Sequence, residues 1–324
     1  MPHLFFDARN FPTSATSPVC GQGDLILSWH DLVWAAITVG KPGASHLFLH
    51  GWHSISDLVV RTHTIFASLR ESNRRLARST LYESSDPTEK GATSYFLGMT
   101  VAKLACSHLL GTPFLFHFSM TGPMGMHVRT RSGREPDLLG HRTDGSWIVV
   151  EAKGRTNGLD AAALGRAKQQ TRAVRTIDGA TPTMRIAAQT WFDPMMCLVL
   201  DDPESEDDDS VEVEVDVQAA YRRYYSFVYE ATKDSNDVRV LRGQRYVFRT
   251  VPEAGIEIGI SLEVRSLLDQ ISSIPVAIAR RFADVQSAVG SDVASTYADG
   301  LAIALDKRWA PELMSREPTE RTGR

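Results

Sequence analysis

The chain has 324 residues, 43% of them hydrophobic, and a formal net charge of −4. That is enough apolar material for one large domain or two of ordinary size, and the slightly acidic balance confines any nucleic-acid contact to a local patch. No run approaches the roughly twenty apolar residues of a membrane-spanning helix, and Met1-Pro2-His3-Leu4-Phe5-Phe6-Asp7 lacks the basic segment of a signal peptide, so a cytoplasmic protein is expected.

Residues 1–92 read as a mostly helical accessory region. Residues 24–38 form a largely apolar run around Trp29 and Trp34, and residues 56–77 show helical spacing through Leu58, Val59, Ile65, Phe66 and Leu69. His46, His50 and His53 fall at helical spacing, but Gly51 and the lack of a fourth ligand favour packed or solvated histidines over zinc. Cys20, Cys106 and Cys197 are widely separated and form no CxxC pair, which argues against a disulfide framework or a structural zinc site, and they read as buried small residues. Residues 93–110 carry a broad apolar surface and read as a buried helix. An aromatic strand at 114–118, a turn at 121–125 and a strand at 126–130 follow.

The most informative stretch runs from Glu135-Pro136-Asp137 to Glu151-Ala152-Lys153-Gly154. Residues 146–150 read as a buried strand, and the residues before Arg142 as its hairpin partner. With a loop of Asp144 and Gly145 alone, Asp137 would face Ala152, and Glu151 and Lys153 would project from the opposite face. With a loop of Thr143, Asp144 and Gly145, in which the glycine takes the left-handed position, Asp137 falls opposite Glu151 and Lys153 lies on the same face. We adopt the second register. Two adjacent carboxylates repel unless a cation lies between them, and hard oxygen ligands favour magnesium, with manganese as the alternative. Asp137, Glu151 and the carbonyl of Ala152 are the expected metal ligands, with Lys153 placed to orient a water or offset charge on the transition state.

Pro136-Asp137 followed by Glu151-Ala152-Lys153 resembles the signature of the PD-(D/E)XK nuclease superfamily, over roughly residues 93–200. The resemblance implies an α/β fold with a restriction-endonuclease-like core: a helix, a three-stranded meander, a second helix and a further strand. It also implies Asp137 and Glu151 as ligands and Lys153 as catalytic base or positioner. Many members carry a further acid on the first helix. Residues 93–110 contain none, and Glu89 just upstream fits a helix-start role better. The second helix is read at 159–177, with Leu164, Ala167, Thr171 and Val174 inward. Gln170 flanks that stripe and resembles a glutamine that related nucleases place beside the catalytic strands; the other reading is a polar boundary residue. Arg131, Arg134 and Arg155 flank the motif and are the expected phosphate contacts.

Strands are expected at 185–192 and 195–200, then a solvated acidic linker and short strand over 201–217. Residues 218–324 read as an α+β accessory region. It holds a tyrosine and arginine cluster at 221–229, a hairpin at 238–260 and amphipathic helices at 276–289 and 293–309. The reading that follows is a magnesium-dependent endonuclease acting on DNA, in bacterial restriction or phage defence. Two others stay open: a catalytically silent nuclease fold that binds nucleic acid or scaffolds a partner, and an RNA-cleaving toxin, for which the tyrosines are the hint. A homodimer or an activating partner is compatible with each, since one site nicks a strand and a symmetric pair can cut both.

Overall fold

The computed structural model describes residues 1–11, 19–40, 52–120, 135–202, 210–269 and 294–315. It is a mixed α/β structure built on a nine-stranded mixed sheet. The described N-terminal part comprises β1 (His3–Arg9), β2 (Gly21–Ile26), α1 (Trp29–Thr38), α2 (Trp52–Ser68), β3 (Leu69–Ser72), β4 (Arg75–Arg78) and α3 (Thr80–Ser84). The expectation of a mostly helical accessory region is therefore corrected: all four strands belong to the large sheet, where β1 runs parallel to a distant strand with Phe5 opposite Cys197. The helix expected through residue 77 ends at Ser68. Asn73 and Arg74, both at positive φ, turn the chain into the β3–β4 hairpin, so Arg70, Arg74, Arg75 and Arg78, whose spacing in sequence would line them up on neighbouring turns of a helix, lie instead on two strands and their turn.

The middle of the chain is α4 (Pro87–Leu110), β5 (Phe114–His117), β6 (Leu138–His141), β7 (Trp147–Gly154), α5 (Ala161–Arg172), β8 (Val174–Ile177), β9 (Met184–Asp193) and β10 (Met195–Asp201). Strands β5, β6 and β7 form an antiparallel meander, and α5 carries the chain from β7 to β9, which lies parallel to it. A helix of ten or more residues is what such a parallel crossover requires. Helix α4 starts earlier than the apolar spacing suggests, because Asp86 caps it by accepting from the Thr88 and Glu89 amides and Pro87 fits the first turn. Gly111, at φ 59°, ends it.

The second helix, by contrast, is shorter than read. It stops at Arg172, and Val174–Ile177 instead pairs in parallel with β11 (Val211–Val213). The first residues of the acidic run are not solvated: Asp201 and Asp202 are buried, the former against Lys168 at 2.5 Å and the latter accepting from the Arg185 amide at 2.7 Å. Of the cysteines, Cys106 is buried but Cys20 is exposed.

The C-terminal part holds α6 (Val217–Thr232), β12 (Asp237–Leu241), β13 (Gln244–Val251), β14 (Ile256–Ser261), α7 (Leu262–Asp269), β15 (Ser295–Thr296), β16 (Leu301–Leu305) and α8 (Pro311–Met314), and its strands make a separate five-stranded sheet. The helix expected over 293–309 is contradicted by β15 and β16; the one expected at 276–289, the strand at 126–130, the turn at 121–125, and His46 and His50 lie outside the described residues. Tyr221, Tyr224 and Tyr225 point inward from α6 and are at most 2% exposed. They are core, and they offer no ring to a nucleobase.

One buried polar network ties these parts together. The Lys103 ammonium on α4 donates to the Pro113 carbonyl and to the Tyr224 hydroxyl, and it lies 4.6 Å from the Trp34 ring centroid. Tyr224 in turn donates to Asp299 at 2.6 Å, and the Trp34 indole donates to the same carboxylate oxygen at 2.8 Å. Burial draws Lys103 down to about 7 against the pull of Asp299. Removing one charge strands the other in the core, so Lys103→Met should cost about 3–5 kcal/mol. In urea unfolding, Lys103→Met with Asp299→Asn should cost clearly less than the sum of the single variants.

Candidate functional site

The register of β6 on β7 pairs Leu138 with Val150 and His141 with Trp147. The ladder extends one step further, from the Arg142 amide to the Ser146 carbonyl at 2.9 Å, and leaves Thr143, Asp144 and Gly145 as the loop. Gly145 sits at φ 89°, where a side chain is disfavoured. Asp144 braces the turn by accepting from the amide and the hydroxyl of Ser146 at 2.9 and 2.7 Å. Asp137 therefore lies one step before β6, opposite Glu151, in the register adopted from the sequence.

The proline explains what happens at that end. Hydrogen-bonded pairs alternate along an antiparallel ladder. Counting from Arg142 and Ser146 makes Pro136 and Ala152 such a pair, but proline has no N–H to give. The Ala152 carbonyl thus has no ladder donor at this position. Its amide, pointing to the same strand edge, donates to Asp137 Oδ2 at 3.0 Å. The Asp137 amide donates to Glu151 Oε2 at 2.8 Å, and the Lys153 ammonium bonds Glu151 Oε1. Two carboxylates, a lysine and a main-chain carbonyl converge on the end of β7.

Glu151 is fully buried, while the Lys153 side chain is 27% exposed. Burial first, and then the Asp137 charge, push the Glu151 carboxyl up to about 8 against the opposing pull of Lys153. Two hard carboxylates beside a free-edged carbonyl are a donor set that fits magnesium or manganese, and each oxygen has a lone pair beyond those its amide or ammonium partner uses. Among the described residues no three or more His, Cys, Asp or Glu side chains come together in a way that could hold a metal ion. The fit rests on the pair and the carbonyl.

Helix α5 packs on the sheet face that Glu151 and Lys153 share, since Leu164 and Ala167 meet Ala187 and Ala187 neighbours Glu151. Gln170 donates to the Glu135 carbonyl at 2.8 Å, so it holds the segment that presents Pro136 and Asp137. Arg155 forms an ion pair with Asp160 at 3.0 Å, and part of its charge is spent there. Arg131 and Arg134 lie outside the described residues.

Four further features were not anticipated. Buried Gln189, beside Lys153 in the β7–β9 register, accepts from the Asp160 amide at 2.7 Å and donates to its carbonyl at 3.0 Å, which fixes the start of α5. Gly98 and Gly154 let α4 lie directly on the main chain after Lys153: a Cβ on Gly154 would stand 1.6 Å from the Ser94 carbonyl oxygen. Tyr95, on the same stretch of α4, is 49% exposed and feels the charges of Asp137 and Glu151. No helix among the described residues is long and apolar enough to cross a membrane. No family model, no curated protein and no solved structure matches this chain.

The Glu151 shift has a sign that can be tested in chelator. Below pH 4.5, the ordinary value, the carboxyl is protonated in folded and unfolded chains alike. Between there and about 8 the unfolded chain releases a proton that the folded chain keeps, so this group lowers stability as pH rises. The slope is at most about 1.4 kcal/mol per pH unit. Urea unfolding of Glu151→Gln should show that slope removed.

Proposed function

We propose that the chain is a metal-dependent nuclease of the PD-(D/E)XK type, hydrolysing phosphodiester bonds with a single magnesium or manganese ion. One observation carries this reading: Asp137, Glu151 and Lys153 meet at the end of β7, where Pro136 withholds a ladder bond from Ala152. A plain surface hairpin would leave Glu151 in water. Here it is fully buried beside a second carboxylate, and Lys153 offsets that only in part, since the Glu151 carboxyl still stands at about 8; a divalent cation would supply the remaining compensation. The order of α4, the β5–β7 meander, α5 and β9 supports a restriction-endonuclease-like core.

When bound, the ion would polarise the scissile phosphate and acidify a water. Asp137 and Glu151 would hold it through their carboxylates and Ala152 through its carbonyl. Lys153, partly exposed and anchored on Glu151, is placed to orient the attacking water or to meet charge that builds on the phosphoryl oxygens. Gln170 acts one step back by fixing the Glu135 carbonyl, and so the approach of Asp137. The substrate preferred on resemblance is DNA.

Cleavage of plasmid, linear duplex, single-stranded DNA and RNA in magnesium, manganese or chelator tests the reading. Wild type should cut only with metal. Asp137→Ala and Lys153→Ala should each lose about a hundredfold or more in rate, the scale seen when a charged transition-state partner is removed. Metal-independent cleavage, or full activity in both variants, would refute the assignment.

A further inference from the structure

Two side chains on the helices that flank β7 have no role in holding the ion. Tyr95 presents a half-exposed ring from α4 beside Gly154, with its amide nitrogen 3.0 Å from where a Gly154 Cβ would stand. Among the described residues its hydroxyl has no hydrogen-bond partner. Burial, and then the charges of Asp137 and Glu151, raise its phenol above the ordinary range, so the ring stays neutral. An uncharged aromatic face next to two carboxylates is not repelled by them, and it is open to a planar ligand.

Arg166 lies on α5, one helical turn before Gln170 and on the same flank of the helix. It is exposed, and it senses Asp160 only at longer range. The neighbouring cations are tied down: Lys153 to Glu151, Arg155 to Asp160 and Lys168 to Asp201. Arg166 has no such tie among the described residues. A half-exposed ring on α4 and an unpaired guanidinium on α5 thus belong to the two helices that pack on either face of β7.

Stacked duplex bases show no face to a side chain, whereas an unpaired strand offers both a base face and a backbone charge, and an aromatic platform beside a cation is how such strands are held. We infer that the substrate is an unpaired nucleic-acid strand, with Tyr95 stacking on a base next to the scissile phosphate and Arg166 contacting a neighbouring phosphate. This rests on the nuclease reading and narrows it.

Steady-state cleavage of a labelled oligothymidylate, an oligouridylate and a blunt DNA duplex tests it, together with salt-dependent binding of the same strands in chelator. Wild type should cut at least one single-stranded polymer faster than the duplex. Tyr95→Ala should raise KM for that strand about tenfold or more, with kcat nearly unchanged, whereas Tyr95→Phe should keep the wild-type KM. Arg166→Ala should flatten log affinity against log salt by about 0.7, the share of one phosphate contact on a single strand. Duplex cut as well as either single strand, a wild-type KM in Tyr95→Ala, or an unchanged salt slope in Arg166→Ala would overturn the inference while the nuclease stands. A wild type inert on all three polymers with metal would overturn the nuclease reading, and the inference with it.

Discussion

A single missing hydrogen bond organises the site. Where the β6–β7 ladder would continue, Pro136 has no amide to give, and the Ala152 main chain is left facing a side chain instead of a strand. Asp137 takes over the amide, Glu151 takes the Asp137 amide, and Lys153 closes on Glu151. The loop of Thr143, Asp144 and Gly145 lies upstream of all of this. A loop one residue shorter would turn Glu151 and Lys153 to the other face.

The surrounding fold holds this unfavourable cluster by rigid means. Helix α4 approaches β7 so closely that glycine is needed on both elements, at Gly98 and Gly154. On the opposite face the Gln189 amide clamps Asp160, the residue that caps α5, and Gln170 clamps the segment before Asp137. Farther back, the network of Lys103, Tyr224, Asp299 and Trp34 binds α4 to α1, α6 and the β15–β16 turn. A burial that places Glu151 at about 8 disfavours the carboxylate form, and that cost is consistent with a site shaped to receive a cation rather than to stabilise the chain.

Much of the site was legible because it is local. Strand parity and one left-handed glycine define the Asp137–Glu151 register without any long-range knowledge. Other local signals were present but outweighed by apolar spacing. Asp86-Pro87-Thr88-Glu89 announces the start of α4, Asp178-Gly179 marks a turn closing the strand after α5, and Asp299-Gly300 marks the β15–β16 hairpin read as helix. The place of the N-terminal strands in the large sheet was not legible, since β1 has a local partner in β2 but joins the sheet through β10 nearly two hundred residues later, with Phe5 opposite Cys197. The tyrosines of α6 were ambiguous for a related reason: only the packing of Phe114 and Phe116 against them shows that they are core.

The central claim is that Asp137 and Glu151 together hold a divalent cation. Calorimetric titration of manganese into metal-free protein addresses it most directly, because it needs no substrate and no activating partner. The account predicts one ion bound per chain, with binding abolished by Asp137→Asn and weakened as the pH falls below about 8, where Glu151 takes up its proton. Absence of binding in the wild type, or binding that survives Asp137→Asn unchanged, would contradict it.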